Sequence, residues 1–115
     1  MSMVTDTSPG MSRQQMENRA GEAAELLRTL SHPARLMLAC VLAEKEYSVG
    51  ELEQRLGIRQ PTLSQQLGVL RESGIVETRR EAKQIFYRLT ETKAAQLIEA
   101  LYNIFCHDAP EGALS

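Results

Sequence analysis

The two cysteines, Cys40 and Cys106, are the side chains of this sequence best suited to covalent chemistry. No other cysteine is present, the two are predicted to lie on different helices, and His107 beside Cys106 could favour a thiolate. Two such thiols can be joined under oxidation. Free cysteine is also among the most commonly buried residue types and often acts as a small hydrophobe. From the residues alone a core position is the more common outcome, and a redox pair remains the alternative.

A second candidate is the stretch from Thr62 to Leu70, which carries no charge although 24% of the chain is charged. With Leu63, Leu67 and Leu70 on the buried side of a helix, amide and hydroxyl side chains are left outside. They are Thr62, Ser64, Gln65 and Gln66, with Pro61, Gly68 and Glu72 on the same outer surface. Gln pairs well with adenine, and Ser and Thr bind bases or phosphates. Any solvated helix is polar, but such a face normally carries Glu and Lys, so the pattern favours contact with DNA.

Positive charge is concentrated around this stretch. The chain has a net charge of −2, yet residues 55–88 contain seven basic and only three acidic side chains. The basic residues are Arg55, Arg59, Arg71, Arg79, Arg80, Lys83 and Arg88. Because screening limits the reach of each charge to about 10 Å, a basic centre can neutralise phosphates despite acidic flanks.

The elements that position these residues can be read from periodicity and caps. Helical spacing of apolar residues predicts helices over about residues 16–30, 34–44, 49–56, 61–73 and 91–107, with a tail at residues 1–15 and another at 109–115. His32 is expected to cap the second helix. Ser48 and Glu51 have capping-box spacing, Gly57 suits a left-handed helix end, and Thr90 is expected to cap the last helix.

Between the last two helices the period changes to that of strands. Residues 75–80 and 84–89 alternate, and Glu81, Ala82 and Lys83 join them into a hairpin. A short capped helix, a tight turn and a second helix form a helix-turn-helix, and the basic hairpin that follows would be its wing. Charge on a hairpin also protects a sheet edge. The neighbouring polar helix favours a DNA contact by Arg79, Arg80 and Lys83.

Several classes of protein are disfavoured by what the sequence lacks. No phosphate-binding loop, nucleophile elbow or paired metal-ligand motif occurs, so an enzyme is not expected. No apolar run approaches the roughly 20 residues that span a bilayer, and residues 1–15 lack the features of a secretion signal. We therefore expect a cytoplasmic protein without cofactor or membrane partner.

The segment from Thr29 to Thr90 resembles the ArsR family of winged-helix repressors. The most specific parts are Leu30-Ser31-His32-Pro33-x-Arg35 and the run QPTLSQQLGVLRESGIVETRR. The resemblance implies a mainly helical domain over residues 16–108 that forms a homodimer through helices 16–30 and 91–107. It also implies binding to an inverted-repeat operator in double-stranded DNA. By position in the family's pattern, the resemblance implies that the bases are contacted by Gln60, Thr62, Ser64 and Gln65. It implies that the wing contacts DNA through Arg79, Arg80 and Lys83.

Within the family, the sequence is most similar to sulfide-responsive members with a cysteine pair in the corresponding helices. The resemblance therefore implies that a persulfide, polysulfide or other oxidant links Cys40 to Cys106 by a disulfide or polysulfide bridge. The link would draw the last helix against the second one, change the spacing of the recognition helices and release the operator.

Other interpretations remain open. Metal-sensing members of the family carry cysteines where this chain has residues 51–56, and here there are none. The last helix offers Glu91, Glu99, His107 and Asp108 at unmatched spacings, so a metal-responsive repressor is disfavoured. The cysteines could be only structural, or serve a thiol-disulfide enzyme, although no CxxC supports that. A protein-interaction module without DNA contact is the structural alternative.

Overall fold

Five α-helices and three short β-strands make up residues 10–106, the part of the chain that the computed structural model describes. In chain order they are α1 (Arg13–Leu30), α2 (Pro33–Glu44), β1 (Tyr47–Ser48), α3 (Val49–Leu56), α4 (Thr62–Glu72), β2 (Val76–Glu81), β3 (Gln84–Leu89) and α5 (Thr92–Phe105). This is the predicted mainly helical winged helix-turn-helix with a small β unit. None of the helices in this range is long and apolar enough to cross a membrane.

Helix α1 begins at Arg13, inside the segment predicted to be a tail. Ser12 Oγ accepts a hydrogen bond from the Gln15 backbone N–H at 3.1 Å, and Gln15 Oε1 accepts one from the Ser12 N–H at 2.8 Å. This capping box satisfies two donors at the helix start. The predicted boundary at residue 15 is therefore wrong by three residues. Residues 1–9 and 107–115, including His107 and most of both predicted tails, lie outside the described range.

The local signals around the helix-turn-helix are confirmed. His32 Nδ1 accepts a hydrogen bond from the Ala34 N–H at 3.1 Å and caps α2. Ser48 and Glu51 form the predicted capping box of α3, and Gly57 ends that helix with a φ of 70°. The left-handed conformation is the one that glycine adopts without a steric penalty. The capping box sets where α3 begins, and Gly57 sets where it ends and where the turn to α4 starts.

The β unit is larger than the predicted hairpin. Strand β1 pairs with β3, with Tyr47 opposite Tyr87, so the sheet has three antiparallel strands in the order β1-β3-β2. A strand of two residues has no visible alternation, which is why the sequence does not reveal it. Glu81 belongs to β2 rather than to the turn, and the left-handed Ala82 begins a two-residue turn.

The cap predicted for the last helix is also wrong. Glu91, not Thr90, caps α5, because its Oε2 accepts a hydrogen bond from the Lys93 N–H at 2.8 Å. Thr90 instead donates its backbone N–H to the Ile75 carbonyl at 2.9 Å. The helix runs to Phe105, and Cys106 is its C-cap.

The hydrophobic core lies behind the two helices of the helix-turn-helix. The fully buried leucines include the predicted stripe of α4 and one residue each from α2 and α3: Leu38, Leu52, Leu63, Leu67 and Leu70. Burial of one such side chain contributes roughly 1.5–3 kcal/mol. The inner side of α4 is thereby fixed to the body of the domain, and its outer side is left to solvent.

Candidate nucleic-acid interface and cysteine pair

The outer face of α4 presents Thr62, Ser64 and Gln65, all exposed and all opposite the buried leucines. A shallow, open depression on this side of the helix is lined by Ser64, Gln65, Gly68, Val69, Arg71 and Glu72. Val69 is 38% exposed and was not among the residues predicted to contact DNA. An exposed apolar side chain among hydroxyls and amides suits the methyl group of thymine, whereas the polar groups suit hydrogen bonds to base edges.

Gln60 stands at the entrance to α4 and is partly engaged with the helix itself. Its Oε1 accepts a hydrogen bond from the Ser64 backbone N–H at 3.1 Å. Pro61, the N-cap residue, makes no side-chain cap, so Gln60 supplies the acceptor that the helix start requires. The amide nitrogen of Gln60 is left as a donor toward a ligand.

Gln66 lies on the side of α4 that faces α2, and it is only half exposed. Its Oε1 accepts a hydrogen bond from Arg35 Nη1 at 2.7 Å, and Arg35 Nε donates to the Thr29 carbonyl at 2.6 Å. One guanidinium therefore joins the end of α1, the start of α2 and the middle of α4. This contact ties Gln66 to α2 and helps to orient α4, whereas Gln66 was predicted among the residues that face DNA.

The three basic side chains predicted for the wing have different surroundings. Arg79 Nε and Nη2 donate to the two carboxylate oxygens of Glu46 at 2.8 Å each, and Nη1 donates to Glu81 Oε1 at 2.9 Å. The guanidinium carbon also lies 4.7 Å from the centre of the Phe86 ring. Arg80 and Lys83 are exposed and make no hydrogen bond or ion pair to residues 10–106.

These contacts change the acidity of the partners. The hydrogen bonds from Arg79 hold the pKa of the Glu46 carboxyl below its ordinary value. The bonds to Glu46 and then Glu81 raise the pKa of Arg79. Glu46 and Arg79 are therefore both ionised at neutral pH, and the positive charge of Arg79 is balanced within the chain.

The two cysteines lie on helices that pack against each other, as predicted. Cys40 lies in α2 against the core, Cys106 ends α5, and both are half-buried free thiols. Burial raises the pKa of the Cys40 thiol, and the negative charges that Cys106 and Glu44 can carry raise it further. The raised pKa keeps Cys40 protonated at neutral pH.

Metal-ligating side chains are not clustered in the described part of the chain. Among residues 10–106, no group of three His, Cys, Asp or Glu residues is placed to hold a metal ion. Two of the ligands considered above, His107 and Asp108, lie outside this range.

Comparison with known proteins gives consistent results. Residues 32–78 match the family model described as "Bacterial regulatory protein, arsR family". The chain is 74% identical over 104 residues to the biofilm growth-associated repressor of Xylella fastidiosa (strain 9a5c), covering 90% of this chain and 91% of that protein.

Solved structures agree with the sequence comparison. The crystal structure of the transcriptional repressor BigR from Xylella fastidiosa has a TM-score of 0.78 at 76% identity, and the match covers 84% of this chain and 98% of that one. Reduced HlyU from Vibrio cholerae N16961 has a TM-score of 0.77 at 42% identity, with 81% and 98% covered.

Proposed function

The chain belongs to the ArsR family of bacterial regulatory proteins, and from that premise we propose that it is a homodimeric, redox-responsive transcriptional repressor. In its reduced form it binds an inverted-repeat operator, and it releases the operator when Cys40 and Cys106 become linked. The observation that carries DNA binding is the outer face of α4, which presents the uncharged polar side chains of Thr62, Ser64 and Gln65 while buried leucines pack its inner side against the domain.

Homodimer formation is supported by the apolar side chains that α1 and α5 leave in solvent. Leu27 on α1 is 54% exposed, and Ile104 and Phe105 at the end of α5 are 68% and 79% exposed. Lys93 Nζ donates to Glu22 Oε2 at 2.6 Å and joins the two helices. Large apolar side chains left in solvent on both helices are what a dimer interface would cover. A twofold dimer would place two copies of α4 about one DNA turn, roughly 34 Å, apart.

The switch is supported by the position of the thiols rather than by a bond between them. Cys106 lies at the end of α5, one of the two helices proposed for the dimer interface, and Cys40 lies on the packed α2. A disulfide requires Cα atoms within roughly 7 Å. Its formation would therefore tie the end of α5 to the core and alter the relative position of the two α4 helices.

The chemistry balances with a sulfane-sulfur donor such as hydrogen disulfide. The Cys106 thiolate attacks a sulfur of the donor, which leaves Cys106 as a persulfide and releases hydrogen sulfide. Cys40 then gives up its proton and attacks the inner sulfur of that persulfide, and a second hydrogen sulfide leaves. The two thiols lose two electrons to the donor. Cys40 is the second nucleophile because it packs against the core, where burial raises its pKa.

Fluorescence anisotropy on DNA from upstream of the gene tests both halves of the proposal. The reduced protein should bind tightly and with a strong salt dependence. Polysulfide should weaken the wild type and leave Cys40→Ser and Cys106→Ser unaffected. If the wild type binds tightly and polysulfide does not weaken its binding, both cysteines have only a structural role. If neither this DNA nor a genome-wide selection yielded a site, the repressor assignment would be wrong.

A further inference from the structure

The wing presents its two neighbouring arginines to opposite faces of the hairpin. In the register of β2 and β3, Arg79 stands opposite Phe86 and Arg80 opposite Ile85. Successive side chains of a strand point to opposite faces. Arg79 therefore shares its face with Glu81, to which it bonds, and Arg80 shares the other face with Ile85. A single DNA surface cannot meet both arginines in the same way.

Three of the five N–H donors of Arg79, including one complete two-donor edge, are engaged within the chain. Its Nε and Nη2 edge is occupied by both oxygens of Glu46, and Nη1 is occupied by Glu81. A phosphate that replaced either partner would bring its own negative charge beside the released carboxylate. Two-point pairing between a guanidinium and a carboxylate is among the stronger charged hydrogen bonds and fixes orientation. Arg80 and Lys83, in contrast, have no such partner within residues 10–106.

Glu46 connects two parts of the sheet that are distant in sequence. It lies just before β1, in the connection from α2, whereas Arg79 lies 33 residues later in β2. Because β1 is separated from β2 by β3, the Glu46–Arg79 pair spans the sheet above Phe86. It holds the outer strand of the wing to the body of the domain.

Resting on the DNA-binding function proposed above, we propose that Arg79 is a positioning residue and not a DNA contact. The cluster of Glu46, Arg79 and Glu81 fixes the angle of the wing, so that Arg80 and Lys83 reach the phosphates. This divides the basic wing into an internal part and a DNA-binding part.

The decisive variant is Glu46→Gln, which removes one carboxylate charge and keeps the size of the side chain. A positioning role predicts operator binding about three- to tenfold weaker, although the variant brings less negative charge near the DNA. If Glu46 only masks a DNA-binding arginine, binding becomes tighter. Glu77→Gln is the matched control, because Glu77 lies on the same face of β2 and has only a 3.6 Å pair with Arg88. It should bind as the wild type does or slightly more tightly. Equal or tighter binding by Glu46→Gln overturns the proposal.

Arg79→Lys gives an independent result. Lysine keeps the charge but cannot make the two-point pair, so positioning predicts a loss as large as that of Arg79→Gln. A simple phosphate contact would be largely retained by lysine. The slope of log affinity against log salt should fall in Arg79→Lys as much as in Arg79→Gln, because in both variants Arg80 and Lys83 lose their position at the phosphates. An Arg79→Lys protein that keeps the affinity and salt slope of the wild type would show a simple phosphate contact and refute the proposal.

A double-mutant cycle separates positioning from general stability. If the cluster aims Arg80 at DNA, Arg80→Ala should cost at least twofold less in the Glu46→Gln background than in the wild type. Full additivity, or a loss explained by partial unfolding in circular dichroism, contradicts the proposal. If the wild type itself binds no operator, the proposed function fails; if it binds and Glu46→Gln does not weaken it, only the role of Arg79 fails.

Discussion

Replacing Gly68 by alanine should stabilise the fold and weaken operator binding at the same time. Gly68 lies inside α4, on its solvent side, and a Cβ added there would meet no atom of the chain within 4 Å. Within a helix, alanine is favoured over glycine by about 0.5–1 kcal/mol because glycine loses more backbone entropy on folding. The midpoint of thermal unfolding should therefore rise by about 2–8 °C.

The effect on DNA binding has the opposite sign because Gly68 lines the depression on the outer face of α4. If the DNA surface fills that depression, one added methyl group must be accommodated by shifting the helix. Insertion of a methyl group into a packed contact costs about 1–3 kcal/mol, which corresponds to roughly 5- to 150-fold in affinity.

Thermal unfolding and anisotropy titration on the same preparation measure both quantities. Gly21→Ala is the control, because Gly21 also lies inside a helix and its Cβ would likewise meet nothing within 4 Å. It should raise stability similarly and leave operator affinity unchanged, with the dimer mass verified by ultracentrifugation. A Gly68→Ala protein that is more stable and binds like the wild type would refute the docking of α4 by this face.

Three further outcomes follow from the caps, the core and the thiols. Ser48→Ala removes the capping box of α3 and should lower the free energy of unfolding, measured in urea titrations, by about 1 kcal/mol. Ser12→Ala removes the more exposed capping box of α1 and should lower the free energy of unfolding by no more than that. Leu67→Ala, at a side chain that is 1% exposed, should cost about 2–5 kcal/mol, so a loss below 1 kcal/mol would contradict the packing of α4. In the Cys106→Ser variant, the rate of alkylation of Cys40 should reach half its maximum at a higher pH than that of a free cysteine. The reason is that burial, the largest cause, raises the pKa of the Cys40 thiol. The neutral thiol is the form that the fold favours, so its stabilising contribution is present at neutral pH and is lost as pH rises through the raised pKa. A midpoint at or below that of free cysteine, read by mass spectrometry, would show that the thiol is not buried.

The parts of the fold that the sequence predicts are those specified by neighbours in the chain. The box of Ser48 and Glu51 and the left-handed Gly57 depend on residues within one turn, and the stripe of α4 depends on a 3.6-residue period. The box of Ser12 and Gln15 has the same kind of signal, but the polar composition of the segment around it predicted a tail instead.

The site could be predicted less completely because its decisive contacts join distant residues. Glu46 and Arg79 are 33 positions apart, and Arg35 and Gln66 are 31 apart. No local pattern indicates that a basic residue will be neutralised by an acid from another element. Residue type therefore predicted a basic wing and a polar helix, whereas only the folded chain separates Arg79 from Arg80 and Gln66 from Gln65.

Helix α2 connects the two halves of the proposed repressor. It carries Cys40 against the core, and at its first turn Arg35 bonds both the Thr29 carbonyl at the end of α1 and Gln66 on α4. A rigid helix that moves at Cys40 must also move Arg35, and the two bonds of that guanidinium cannot both follow a shift without moving α1 or α4. A bond between Cys40 and Cys106 would thus displace α4 through the contacts of Arg35 within one subunit. This displacement would add to any change across the dimer interface.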